Sequence, residues 1–127
     1  YLDIPLAELY NKKKSGNPGF DFHSQSLDEV IIFGEAKYLD DRNAYGSGLK
    51  QVVRFISDKK DIKDLADLRD FCSQNALSSV SKGMKGFAVA FSAKSTPSDT
   101  LVSNIIKNKD FISLLQHQEI IIVAVNI

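Results

Sequence analysis

The sequence predicts an α/β fold in which a mixed central β-sheet is flanked by helices. Strand-length runs of apolar, β-branched and aromatic residues occur at Val30–Phe33, Phe87–Ala93 and, between its polar ends, Glu119–Asn126. Each run is apolar on both alternating faces, the pattern of strands buried inside a sheet. Segments with apolar residues at helical spacing separate the runs, and each would lay one face on a core. No internal repeat or low-complexity block breaks the alternation, and strands alternating with helices build layered α/β structures.

In chain order, Tyr1 to Lys14 reads as a short helix, with Asp3 as N-cap, Pro5 near the first turn and Leu6, Leu9 and Tyr10 as its apolar stripe. Ser15-Gly16-Asn17-Pro18-Gly19 is a turn. The short strand Gly19–His23 then reverses through Ser24–Asp28 into the strand Glu29–Tyr38, giving a hairpin. Leu39 to Gly46 is polar and reads as a loop. Ser47 can cap a helix running to about Asp58, with Leu49, Val52, Val53 and Ile56 inward and Gln51 and Phe55 together on a flank. Asp61 caps a further helix to Gln74, with Ile62, Leu65, Leu68 and Phe71 inward and Cys72 packed as a small hydrophobe. Ser78 to Gly86 reads as flexible, with Lys82 and Lys85 suited to loose phosphate contact or to any surface loop. After Phe87–Ala93 and a turn at Thr96-Pro97-Ser98, Asp99–Leu115 is one helix, or two broken near Asn108, presenting Leu101, Ile105, Ile112 and Leu115 on one face.

The 127 residues make one domain, 1–127, with room for a single core. A start at Tyr1 rather than Met reads as a piece of a longer protein. No apolar run approaches the ~20 residues of a membrane span, and the first residues lack a signal-peptide pattern, so no membrane partner is expected. The single cysteine, Cys72, excludes an internal disulfide and a cysteine-rich zinc site and is compatible with a reducing cytoplasm. Sixteen basic and sixteen acidic residues give a formal net charge of zero. That balance argues against a strongly basic duplex-binding surface, although a carboxylate cluster for a metal would cancel basic surface elsewhere.

The strand Val30–Phe33 should stay apolar to its end, yet it runs into Glu35 and Lys37, two residues apart and so on one side of the sheet. The hairpin brings the start of the preceding strand, with Asp21, near them. Asp21 and Glu35 could together hold Mg²⁺ or Mn²⁺, with the Ala36 carbonyl as a further oxygen ligand and Lys37 alongside. Such a spacing fits hydrolysis of a phosphodiester. The plain alternative is an ion-pair cluster of Glu35, Lys37 and Asp21 at a strand end. A serine hydrolase is poorly supported, since His23 and His117 are the only histidines and no nucleophile-elbow pattern is present.

Asp21 followed by Glu35-Ala36-Lys37 resembles the signature of the PD-(D/E)XK nuclease superfamily, with Phe20 in place of the signature's proline. Gly19-Phe20-Asp21-Phe22-His23 with Phe33-Gly34-Glu35-Ala36-Lys37-Tyr38 is most similar, within it, to the nuclease subunit of Hachiman-type prokaryotic antiphage systems. Gln51-x-x-x-Phe55 resembles the Gln-x-x-x-Tyr helix motif of one branch. The resemblance implies a restriction-endonuclease-like core: a helix, three antiparallel strands, a helix and a further strand. Only two strands are recognisable before the crossover, so the first either precedes Tyr1 or is too short to recognise. It also implies a Mg²⁺- or Mn²⁺-dependent endonuclease acting on nucleic acid, DNA above all, in a cytoplasmic antiviral role. Asp21, Glu35, Lys37 and Gln51 would be catalytic. A helicase or recognition subunit is the implied protein partner, and a homodimer an implied assembly. The alternative within the same fold is an inactive nuclease-like domain that binds nucleic acid or a partner protein.

Four further positions carry open readings. Glu8 could be a further acidic ligand or a solvated glutamate, and His23 could touch the phosphate or a nearby carboxylate, or be a partly buried histidine bonded to backbone. Asp40 and Asp41 read as solvated or as capping the loop. Arg42 and Tyr45 are candidate phosphate or base contacts, and Lys50 with Arg54 forms a small basic edge.

Overall fold

The computed structural model describes residues 2–4, 19–40 and 42–126. Five strands form one mixed sheet in the order β1-β2-β3-β4-β5: Leu2–Ile4, Phe22–Gln25, Ile31–Lys37, Gly86–Ser92 and Glu119–Val125. The first three pair antiparallel, while β4 runs parallel to β3 and β5 parallel to β4. Helices α1 (Ala44–Ser57), α2 (Lys60–Leu68) and α3 (Gln74–Ser81) link β3 to β4, and α4 (Ser98–Lys107) and α5 (Lys109–Leu114) link β4 to β5. The fold is thus α/β, with a mixed sheet flanked by helices. No helix among the described residues is long and apolar enough to cross a membrane.

Sheet and helices meet in one main core. Ile31 and Phe33 of β3, Phe87, Val89 and Phe91 of β4, and Leu49, Val52 and Phe55 of α1 are buried together. Phe20 fills its centre, with its ring centroid 5.3 to 5.8 Å from those of Phe55, Phe33 and Phe87. On the opposite face of the sheet Val30, Ile32 and Ala88 form a smaller buried group with Phe22 and Ile121. Burial on both faces is why β3 carries an unbroken apolar run.

Several expectations are corrected. Leu2–Ile4 is a strand rather than the start of a helix, registered on β2 as Leu2 opposite Gln25 and Ile4 opposite His23. A short helix is marginal, whereas three residues beside an open sheet edge gain ladder hydrogen bonds at once. The rest of the expected helix, including Glu8, lies outside the described residues. The reversal between β2 and β3 is tighter than expected, since Ser24 and Gln25 stay in the strand. The Ser26 N–H donates to the Val30 carbonyl (2.9 Å), the Ser26 hydroxyl accepts from the Val30 N–H, and Glu29 takes φ +60°.

The first described helix starts at Ala44, not Ser47, so Ala44 and Gly48 are buried beneath it, Phe55 joins the core, and Val53 and Ile56 are half-buried. Helix α2 ends at Leu68. Its buried face is Asp61, Asp64 and Leu68 with Leu65 half-buried, while Ile62 is exposed. Part of the stretch read as flexible is α3, capped by the Ser73 hydroxyl, which accepts from the Ala76 N–H. The break near Asn108 is real: its side-chain oxygen accepts from the N–H groups of Asp110 and Phe111 and starts α5 afresh. That restart shifts the helical phase, so Leu114 is buried whereas Ile112 and Leu115 face solvent.

Candidate functional site at the end of β3

The register of the hairpin decides what meets what. Phe22 lies opposite Gly34 and His23 opposite Phe33. Residues directly opposite share a face, so His23, Phe33, Glu35 and Lys37 point to the side covered by α1. Asp21 stands one step before β2. Its N–H donates to the Gly34 carbonyl at 2.8 Å, and its Oδ2 accepts from the Ala36 N–H at 2.9 Å. The Asp21 carboxylate is therefore fastened to the backbone between Glu35 and Lys37, across a separation of fifteen residues. Glu35 is 5% exposed, whereas Asp21, Ala36 and Lys37 are half-buried, which opens this corner to solvent on one side.

Helix α1 closes the site from above. A Cβ on Gly48 would lie 2.6 Å from Cγ1 of Val89 and 3.5 Å from Cβ of Lys37, so the helix backbone rests on β4 and on the Lys37 stem. Gln51, half-buried, follows Gly48 by three residues and precedes Phe55 by four, and so faces the sheet with them. Phe55 touches the ring of Phe20, which immediately precedes Asp21. Gln51 thus lies on the helix between the Lys37 contact and the Phe20 contact.

The loop after β3 is tied down rather than open. The Ser92 hydroxyl donates to the Leu39 carbonyl (2.8 Å) and accepts from the Leu39 N–H (3.0 Å). Asp40 pairs with Lys94, whose hydrogen bond and charge hold the Asp40 carboxyl below its ordinary range. Asp40 is therefore engaged away from Asp21, while Asp41 lies outside the described residues. Tyr45 packs on Phe91 with ring centroids 6.1 Å apart, which gives it a core contact rather than a free surface role. Arg42 is exposed. Lys50, also exposed, lines a polar groove of about 240 Å³ with Asn43, Ser47, Asn108 and Lys109.

His23 does not reach into this corner. It is 4% exposed, lies edge-on to Phe33, and its Nε2 is 2.8 Å from Oδ2 of Asp64 on α2, which is 8% exposed. Its partner is a carboxylate rather than backbone, and its Nδ1 is buried with no hydrogen-bond partner among the described residues. Asp64 had no role in the sequence reading. Asp61, read only as a cap, is 1% exposed and paired with Lys85, just before β4. The available signal was the spacing Asp61-x-x-Asp64, which sets two carboxylates on one helix face. The stripe through Ile62 concealed it.

The donor set of Asp21, Glu35 and the Ala36 carbonyl is all oxygen, which fits a hard divalent cation and not a thiolate- or imidazole-bound metal. No group of three or more His, Cys, Asp and Glu side chains among the described residues is arranged to hold a metal. Two carboxylates would leave most of a Mg²⁺ shell to water and phosphate, as Mg²⁺ prefers. Compared with family models, curated proteins and solved structures, the chain matches none of them.

Proposed function

We propose that the chain is a metal-dependent phosphodiesterase of the PD-(D/E)XK type, acting on nucleic acid. One observation carries the reading: the Asp21 carboxylate accepts from the Ala36 N–H, against the one stretch of β3 that ends in Glu35 and Lys37. An ion-pair cluster at a strand end needs no such bond to the backbone between the other two charges. The order of three antiparallel strands, crossover helices and a parallel strand supports a restriction-endonuclease-like core.

Asp21 and Glu35 would hold Mg²⁺ or Mn²⁺, with the Ala36 carbonyl as a third oxygen. A bound cation of this kind neutralises phosphate charge and makes its coordinated water a better nucleophile. Lys37 is a compact positive charge that stabilises the negative charge building on the phosphoryl oxygens as water adds and the leaving oxygen departs. Gln51 assists from α1 by hydrogen bonding. With zero net charge, the domain is expected to bind DNA weakly alone and to depend on a partner such as a helicase or recognition subunit.

Calorimetric titration with Mn²⁺ tests the reading without knowledge of the substrate. Wild type should bind, and Asp21→Ala and Glu35→Ala should each weaken binding by tenfold or more. Unchanged binding in both variants, or none in wild type, refutes the site. Where binding is found, Lys37→Ala should keep the metal and lose cleavage of DNA.

A further inference from the structure

We infer that the outer edge of β5, with the exposed face of α4 beside it, is the surface on which a second copy of this chain docks, strand to strand about a two-fold axis. Among the described residues, β5 lies at one end of the sheet. Exposed edges are normally blunted by shortness, charge, proline or a bulge. The opposite edge, β1, is three residues long and carries Asp3. β5 has none of these guards: its seven residues match β4 one for one, and Glu119 at its start is its only charge. The Val125 carbonyl turns towards β4, where it accepts from the Ala93 N–H at 2.8 Å. Backbone groups alternate in direction along a strand, so Ile120, Ile122 and Ala124 direct theirs outward. Val123 and Ala124 are exposed. An apolar, proline-free segment of this kind is a template for another strand.

Charge and geometry favour a second copy over a foreign strand. Antiparallel pairing centred on Ile122 sets Ile120 opposite Ala124 of the copy, Ile121 opposite Val123 and Glu119 opposite Val125. The two Glu119 carboxylates then lie at opposite ends of the pair. Helix α4 links the parallel strands β4 and β5 and runs back over them; its Val102 and Ile106 line a groove of about 280 Å³ with Phe91, Ile122 and Ala124. A two-fold at Ile122 makes α4 and its mate antiparallel and about two strand spacings apart, roughly 10 Å, a distance at which helices pack. Val102 and Ile106, both exposed and four residues apart on one face, meet their mates there. At each end of that contact, Asp99 in the first turn of α4 comes beside Lys107 in the last turn of the mate. A parallel or displaced pairing loses this match and leaves a new edge open, whereas the two-fold closes it.

The test is sedimentation equilibrium of the full 127-residue chain without metal or nucleic acid, with circular dichroism as the check on folding. Wild type should be a dimer that dissociates on dilution. Ala124→Pro removes an outward N–H that β4 does not use, twice per dimer, and should weaken association by roughly tenfold or more. Val102→Glu/Ile106→Glu sets carboxylates against one another across the axis and should leave a folded monomer. Leu27→Glu, at the β2–β3 turn and 96% exposed, should stay as dimeric as wild type. Should Ala124→Pro not fold, the double variant decides, since both of its positions are exposed. A monomeric or polymeric wild type overturns the proposal. So does a dimer that either folded interface variant leaves as tight as wild type, or one that Leu27→Glu weakens equally. None of these outcomes touches the cation site of Asp21 and Glu35.

Discussion

Gly34 separates Phe33 from Glu35 in the middle of β3, and the space a side chain would need is taken. The ring of Phe22, directly opposite, has three carbons 2.0 to 2.4 Å from where a Cβ on Gly34 would stand. Carbon atoms rest about 3.5–4.0 Å apart without strain, so Gly34→Ala must drive the ring away by more than about an ångström. Phe22 packs with Val30, Ile32 and Ala88, and swinging outward forfeits that contact. Overpacking of this kind costs about 1–3 kcal/mol, against which alanine recovers about 0.5–1 kcal/mol of strand backbone entropy. The net expectation is a loss of about 1–2 kcal/mol in urea unfolding. Removing the ring isolates the cause. In a Phe22→Ala background the same Gly34→Ala change should be neutral or stabilising, a coupling of about 1–3 kcal/mol between the two positions. Equal destabilisation in both backgrounds, or none in wild type, would refute the argument that Gly34 exists to accept the Phe22 ring.

Two further predictions concern groups away from the site. Burial, and then the charge of Lys85, hold the His117 imidazole below its ordinary value of 6.5, with Asp61 opposing and the ring packed edge-on to Phe87 at 4.8 Å. A depressed folded value means the unfolded chain takes the proton first. Stability from His117 is therefore complete above 6.5 and lost as pH falls through and below it. The difference in melting temperature between wild type and His117→Gln should shrink from pH 8 towards pH 5, and a difference independent of pH would contradict the assignment. Burial also pushes the Cys72 thiol up to about 11. Iodoacetamide at pH 8 should label it far more slowly than glutathione and rapidly once urea unfolds the chain; fast labelling of folded protein would show an exposed thiolate.

The parts of this fold that were legible are those where side chains alone decide. Val30–Phe33 could only be a strand buried on both faces, and Leu49 and Val52 only a helix on a core. Where pairing or phase decides, the sequence says less. Leu2–Ile4 is a strand because β2 offers an edge, which three residues cannot announce. Glu119–Asn126 reads as a strand apolar on both faces between its ends, yet the strand Glu119–Val125 is an edge of the described sheet and stays half-exposed, Val123 most of all among its large residues. Helix α2 misled most. Stripes through Ile62 and through Asp61 fit the period equally, and hydropathy chooses the apolar one. The true face mixes Asp61 and Asp64 with the expected Leu65 and Leu68, because His23 on β2 and Lys85 just before β4 meet the two carboxylates. Side-chain pairs between residues 41 and 24 apart leave no local trace. By contrast Glu35 and Lys37 stood out, since charges at the end of an apolar strand break the local rule, as is expected at functional or strained positions.

Their position also follows from the topology. Strand β3 is the joint of the sheet, antiparallel to β2 on one side and parallel to β4 on the other. Its C-terminal end therefore meets the beginning of β2, which brings Asp21, and the chain leaving it must climb over the sheet before β4 can be laid down in parallel. That climb is α1, pressed onto the Lys37 stem because Gly48 has no side chain. Among the described residues, no other strand end of this sheet has both elements beside it. A strand between two parallel neighbours would bring no second strand's start to Glu35, and one in a simple hairpin would bring no helix. Open α/β sheets place ligands outside the carboxyl ends of strands where the direction of connection changes. Two carboxylates, a carbonyl and a lysine can converge here because the backbone already does. Sequence supplies only the charges that occupy the corner.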